Sequence, residues 1–294
     1  MRLEIHINAG NLLALPKWSA VPQACGRIDF AAISEAGFAG VQVLEFDQAV
    51  ADAGLRMSSM ARILDPLDVG KVTRRHQDLG FVATTLHLGT GFETDSEMDA
   101  YADAVVAASE RFGYSLLVET HRATLTQDPA RTLGLVLRYP ELKFNADLSH
   151  WYTGQEMRYG SFDTKLDALM PVFERTRFMH GRVGNSCTMQ MPLAHVRGTQ
   201  AWFDYCKMWS LCVAGFLRTA RRDETLIFAP ELLPALVEHR GQVHQINYAL
   251  LMEKEGGLEE VSDRWLEALE LVDLMRTIWA QERMALTVAS GDDL

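Results

Sequence analysis

The chain has 294 residues, 48% of them apolar and 23% charged, enough to bury a full core as one large domain. Its formal net charge of −11 argues against a nucleic-acid backbone or an anionic membrane as partner, because both demand clustered Lys and Arg. No stretch approaches ~18 uninterrupted apolar residues, which excludes a membrane-spanning helix.

The opening segment MRLEIHINAG alternates in polarity instead of placing charge before an apolar run, so no signal peptide is expected. Cys25, Cys187, Cys206 and Cys212 have no regular spacing, which suits a reducing cytoplasm and argues against a thiolate metal site. From there, short β-rich runs alternate with helical patterns. Strands are predicted over residues 3–8, 41–46, 55–62, 81–89, 115–121, 143–147, 177–183 and 226–231. Helical periodicity fills residues 29–36, 47–53, 69–79, 98–112, 129–139, 162–175 and 201–221, with a last helix over 258–283. Gly37, Gly40, Gly54, Gly80 and Gly113 punctuate helix-to-strand turns, where left-handed caps are expected. Eight strands each followed by a helix predict parallel pairing and a single α/β domain, a (β/α)8 TIM barrel over residues 1–294. Its core is placed at 1–283, with 284–294 a frayed tail and 186–200 a long loop after the seventh strand.

Such barrels build their sites where strands end at the C-terminal face. The last four strands end in polar residues that an apolar strand would not otherwise carry. The fifth reads SLLVETHR and supplies Glu119, His121 and Arg122; the sixth, KFNADLSHW, supplies Asp147 and His150. The seventh, RFMHGRVGN, carries His180, Arg182 and Asn185, and the eighth, LIFAPELLP, ends at Glu231. Three carboxylates converging without a cation would repel and shift their pKa values upward. Glu119, Asp147, His180 and Glu231 are therefore read as one divalent-metal site, oxygen-rich with a single imidazole, suited to Mn²⁺, Mg²⁺ or Co²⁺, with Zn²⁺ admissible. The competing structural roles are an N-cap for Asp147 and a core histidine for His180. His150, Arg182, His87, Arg122, His121 and Asn185 are candidate substrate contacts around that site, His87 alternatively a ligand to a second metal. Glu45 and His6 are weaker candidates, and His76, His239 and His244 are expected to be solvated.

On these residues, on the D-x-x-H step from Asp147 to His150, and on the turn GFAGVQV, the chain resembles the xylose isomerase-like TIM barrel superfamily, in its sugar phosphate isomerase/epimerase branch. That branch includes ketose 3-epimerases, hydroxypyruvate isomerases, inosose dehydratases and endonuclease IV-type enzymes. The resemblance implies a metal-dependent isomerase or epimerase of a keto sugar or polyol, working through a metal-stabilised enediolate. Glu119 and Glu231 would be its acid and base, and His150 would hydrogen-bond the substrate. The alternatives are a metal-dependent lyase or dehydratase eliminating from a ketosugar, keto-inositol or 3-keto-glycoside, with His150, His180 or His195 as acid, and a non-catalytic sugar- or metal-binding barrel. Endonuclease IV-type sites add a His after strand three and a D-x-H step after strand seven. Here the third strand ends MSSMAR and the seventh reads HGRVGNSC, so no nucleic-acid partner is expected. The partner expected is a small carbohydrate, and self-association is left open.

Overall fold

The computed structural model describes residues 1–239 and 241–290. Eight parallel strands close a barrel: β1 (Arg2–Asn8), β2 (Gly40–Val43), β3 (Arg56–Ile63), β4 (Thr84–Leu88), β5 (Leu116–Glu119), β6 (Phe144–Ala146), β7 (Thr176–Gly181) and β8 (Thr225–Pro230). Each pairs with its sequence neighbours, and β1 closes the ring between β8 and β2, with Ile5 opposite Phe228 and Ile7 opposite Val41. The (β/α)8 barrel expected from the alternating pattern is the fold observed.

The main helices around it are α1 (Phe30–Glu35), α2 (Gln48–Asp52), α3 (Val69–Asp78), α4 (Asp95–Phe112), α5 (Pro129–Arg138), α6 (Leu148–Gly154), α7 (Phe162–Phe173), α8 (Leu193–Val196), α9 (Gln200–Thr219) and α10 (Arg264–Ser290). Local chemistry sets their ends. The Thr94 hydroxyl and the Glu97 carboxylate form a reciprocal capping box at the start of α4, and Gly113 ends it at φ 56°, in the left-handed region. The largest buried side chains lie between strands and helices: Trp209 of α9 packs edge-on against Phe228 of β8, with centroids 5.8 Å apart, and Phe173 and Phe216 are fully covered. Gly215 permits this packing, because a Cβ there would lie 2.8 Å from the Phe173 carbonyl oxygen.

Several expectations need correction. The last helix starts at Arg264 and not at 258, because residues 258–260 belong to a β-hairpin, Leu251–Lys254 with Gly257–Glu260, turned at Glu255 and Gly256. A second hairpin, Leu236–His239 with Gln242–Gln245, precedes it, and a third, Gln23–Ala24 with Arg27–Ile28, follows β1. Helix α10 runs through 284–290, residues expected to fray, and 291–294 lie outside the described residues. His76 is buried, its Nδ1 2.9 Å from Thr84 Oγ1. His239 and His244 sit in hairpin strands, His244 exposed and the His239 side chain outside what is described. The 186–200 loop contains α8 and is clipped down by Gln190, whose amide exchanges two hydrogen bonds with the Leu233 backbone.

That loop is also tied to α10. Glu267 accepts the Leu193 N–H at 2.7 Å, and burial pushes its pKa up to about 7. A carboxyl raised in the folded state stabilises fully below its unfolded pKa, and that contribution fades as pH rises towards the folded value. The stability difference between wild type and Glu267→Gln should therefore shift against wild type by on the order of 3 kcal/mol between pH 4.5 and 7.5. Urea denaturation at several pH values measures it, and parallel curves would reject the assignment.

Candidate metal centre

The ends of β5, β6, β7 and β8 bring Glu119, Asp147, His180 and Glu231 together. One ligand atom from each lies within 4.8 Å of all the others, and all four residues are buried. His180 Nδ1 is 3.1 Å from Glu231 Oε2, 3.5 Å from Glu119 Oε1 and 3.7 Å from Asp147 Oδ2.

Asp147 does two jobs. Its Oδ1 caps α6, accepting from the Ser149 N–H at 3.1 Å and the Ser149 hydroxyl at 2.5 Å. Its Oδ2 has no hydrogen-bond partner, and neither has His180 Nδ1, although both are buried. Two orphaned donor atoms facing one point, in a set of oxygen and imidazole groups, are what a bound cation would complete. The charge agrees. Three buried carboxylates meet one buried guanidinium, Arg182, which pairs with Glu231 Oε2 and lies 3.4 Å from Asp147 Oδ2. With His180 neutral, as a metal ligand must be, two negative charges remain, which a divalent ion would neutralise.

Electrostatic shifts report the same demand. Burial disfavours charge on His180, yet Glu231 and Glu119 hold its pKa well above the usual range. Burial likewise opposes ionisation of Asp147, but Arg182 and His150 hold it well below the normal carboxylate value. Glu119 is lowered against burial by His87 and His180, and Glu231 by Arg182 and His180. Each group shifts as if positive charge were wanted at the centre.

Polar residues inside the barrel orient this cluster. His180 Nε2 is held between Gln42 Oε1 at 2.8 Å and Asn145 Nδ2 at 3.1 Å, which orients the ring with Nδ1 towards the carboxylates. Asn8 Nδ2 donates to Glu231 Oε1 at 3.1 Å, and Asn145 Nδ2 to Glu119 Oε2 at 3.3 Å. None of these three was singled out in the sequence. The signal was present: Glu4, His6 and Asn8 alternate in β1, and Asn145 stands two before Asp147, the period that faces one side of a strand.

Three imidazoles form a wall beside Glu119. His121 stacks on His87 at 4.2 Å between centroids and tilts against His150 at 3.9 Å. His87 Nε2 lies 3.0 Å from Glu119 Oε2, so Glu119 faces His180 with one oxygen and His87 with the other; His87, Glu119 and His121 form a second group with ligand spacing. Burial pushes His121 down to about 3, which keeps its ring neutral. His150 is buried with both ring nitrogens unpartnered, its Nε2 3.4 Å from Asp147 Oδ2.

The remaining candidates are placed differently. Arg122 is exposed and donates to the Tyr248 hydroxyl at 2.8 Å, while Arg182 lies under the Tyr248 ring, 4.9 Å from its centroid. Tyr248, in the segment between the last two hairpins, thus spans the two arginines beside the centre. Nothing local in the sequence marked it. Asn185 turns its side chain into its own loop, accepting from the Cys187 and Thr188 N–H groups at 2.8 Å each. His195 is exposed and lines, with Asn185, a separate cavity of about 290 Å³. Glu45 is exposed and pairs with Arg75, and His6 is held by Ser58 and Glu4 deep in the barrel. At the end of β3, Arg62 donates to the Gly89 and Ala123 carbonyls.

The fold and its C-terminal cluster define a TIM barrel with a candidate divalent-metal centre, and the chain is similar in fold to several solved structures. A D-tagatose 3-epimerase-like protein superposes with a TM-score of 0.54 at 12% identity, covering 95% of this chain and 99% of its own. A sugar phosphate isomerase/epimerase from Parabacteroides distasonis covers 78% of this chain and 90% of its own at 13% identity, with a TM-score of 0.46. The probable 3-DHS dehydratase AsbF from Bacillus anthracis covers 78% and 92% at 16% identity, also at 0.46. At these identities the likeness is one of fold. No protein-family model and no curated protein matches the chain in sequence.

Proposed function

We propose that the protein is a divalent-metal-dependent isomerase or epimerase of a keto sugar or related polyol. The observation that carries this reading is the convergence of Glu119 from β5 and Glu231 from β8, strands that are not neighbours in the ring, on one buried point with Asp147 and His180. The epimerase-like neighbour that spans nearly the whole chain supports it.

A divalent ion, Mn²⁺ by the donor set, held by those four residues supplies Lewis-acid polarisation of a carbonyl. The chain's own residues move the proton. One carboxylate takes the proton from the carbon beside the ketone, and the C–H electron pair passes to the carbonyl oxygen as an enediolate. The other returns a proton to the opposite face, giving the epimer; return to the neighbouring carbon gives the isomer. Arg182 keeps Glu231 ionised and so able to accept a proton. His150, with its two free ring nitrogens, hydrogen-bonds a substrate hydroxyl.

A second reading, a lyase or dehydratase, rests on that same His150, because an unpartnered buried imidazole beside the centre can protonate a leaving hydroxyl. One experiment separates the readings. Protein loaded with Mn²⁺ and incubated with a ketose panel in D₂O should wash deuterium into one substrate and form its epimer or isomer without loss of water. A dehydrated product would transfer the assignment to the lyase, and no exchange with any ketose would reject both. Incubation with an abasic-site duplex should give no incision, since the chain is strongly acidic and its third strand, ending MSSMAR, carries no His. Robust metal-dependent nicking would overturn that expectation.

A further inference from the structure

The opposite end of the barrel has features of its own. In a TIM barrel the N-terminal face serves stability and is ordinarily plugged by side chains. Here a cavity of about 410 Å³ opens there, lined by Glu4, Arg56, Lys143, Arg177, Arg221 and Glu224 around an apolar floor that includes Val82, Ala83, Leu117 and Ile227. Above that floor, Ala83, Leu117 and Ile227 pack with Phe178 and Ala229 in a small inner cluster.

The rim carries more positive charge than its carboxylates can answer. Glu224 alone receives Arg177 at 2.5 Å, Lys143 at 3.3 Å and Arg221 at 3.5 Å. Glu4 receives Arg56 at 2.5 Å and Arg2 at 3.9 Å, and Asp223 lies 3.5 Å from Arg221. Five cations thus face three carboxylates, an excess of two positive charges in a chain whose net charge is −11. Ion pairing for stability alone needs no such excess, since like charges around one carboxylate repel one another. Arg177 is also largely buried, anchored by the Glu174 and Thr176 carbonyls and stacked 5.2 Å over Phe216, which fixes its guanidinium at the cavity wall. A buried arginine with more exposed cations beside it offers charge-assisted hydrogen bonds to an oxyanion.

We infer that this cavity is a second binding site, for a small molecule with a phosphate or carboxylate head and a short body resting on the apolar floor. The head replaces the missing negative charge between Lys143, Arg177 and Arg221. The volume suits a ligand about the size of a sugar phosphate or a tricarboxylate. The site lies at the far end of the barrel from the metal centre, so its occupant is an effector or a structural anion and not the substrate turned over at the centre.

Binding of inorganic phosphate and of citrate is measured by calorimetry and by thermal unfolding, at constant ionic strength against chloride, on wild type and on Lys143→Ala/Arg221→Ala. Those two side chains are partly or largely exposed, so the double variant should fold, and it leaves the mouth of the barrel untouched. Wild type should bind at least one of the two anions saturably, with its melting temperature raised by a few degrees at ten times Kd. The variant should bind at least tenfold more weakly. Phosphate alone would mark a phosphorylated ligand, citrate alone a carboxylate one. No saturable binding, or equal binding by the double variant, would overturn the proposal, the second result placing the anion outside this cavity.

Discussion

Glu119→Gln and Glu231→Gln are each expected to lower turnover on the true substrate by ~10²–10⁴ while the protein stays folded and keeps much of its metal. A Gln preserves the side-chain volume and one ligating oxygen, but removes the negative charge and the oxygen that takes a proton. Both surroundings set one donor against the new amide nitrogen. At position 231 the amide can turn its oxygen to Arg182, but it then meets the Asn8 donor at its other end. At position 119 an amide nitrogen facing His87 meets the Asn145 donor, so the amide keeps its oxygen on that side and turns its nitrogen towards His180. If the two carboxylates serve opposite faces, one variant will still exchange deuterium and form no epimer. By contrast Asp147→Ala should release metal, because it deletes the unpartnered Oδ2 at the centre. Rates within threefold of wild type for both Gln variants, with metal content measured in parallel, would move the acid–base role to His150.

Arg264→Ala should be the most destabilising single change away from the centre, by ~3–5 kcal/mol. Arg264 opens α10 and is almost completely buried. Its Nε donates to Glu260 at 2.7 Å, its Nη1 to the carbonyls of Gly10, Asn11 and Leu232, and its Nη2 to Leu13 at 2.6 Å. One guanidinium thus joins the loop after β1, the segment after β8 and the last helix. Truncation leaves a buried carboxylate and several carbonyls without donors, and each orphaned group costs on the order of 1–3 kcal/mol. Lysine cannot replace it, since an ammonium has three donors at one point whereas these acceptors spread over the whole fork. Urea denaturation of Arg264→Ala and Arg264→Lys checks this, and a loss below 1 kcal/mol in both would show that water or local rearrangement satisfies the acceptors.

The contrast between Glu231 and Arg264 shows where sequence reading works. Glu231 follows an unbroken apolar run, and a carboxylate at the end of a buried strand needs a partner wherever the strand is placed. The same local reasoning reached Glu119, Asp147 and His180, and the period of the strands and helices was enough to predict the closed barrel. Asn8, Gln42 and Asn145 were legible in principle from the two-residue alternation of their strands, but their partners come from other strands and appear only on closure. Asn185 and Arg122 sit at positions that resemble their neighbours in sequence, yet loop geometry turns one into its own backbone and the other onto Tyr248. Arg264 and Tyr248 had no local signal, and the two hairpins before α10 lie mostly in residues 232–257, where no element was expected, with only 258–260 falling under the apolar spacing of the last helix.

The sequence by itself therefore determined the repeating βα architecture and the four groups of the candidate centre, because each follows from local periodicity and from the cost of an unpaired charge at the end of an apolar strand. Only the tertiary structure decided which imidazoles stack beside Glu119, which residue bridges the arginines at the mouth, and that an excess of positive charge gathers at the far end of the barrel. Those features join residues up to 254 positions apart, as in the bond from Arg264 to the Gly10 carbonyl, and pairings at that separation are set by how the ring closes and not by anything the chain encodes locally.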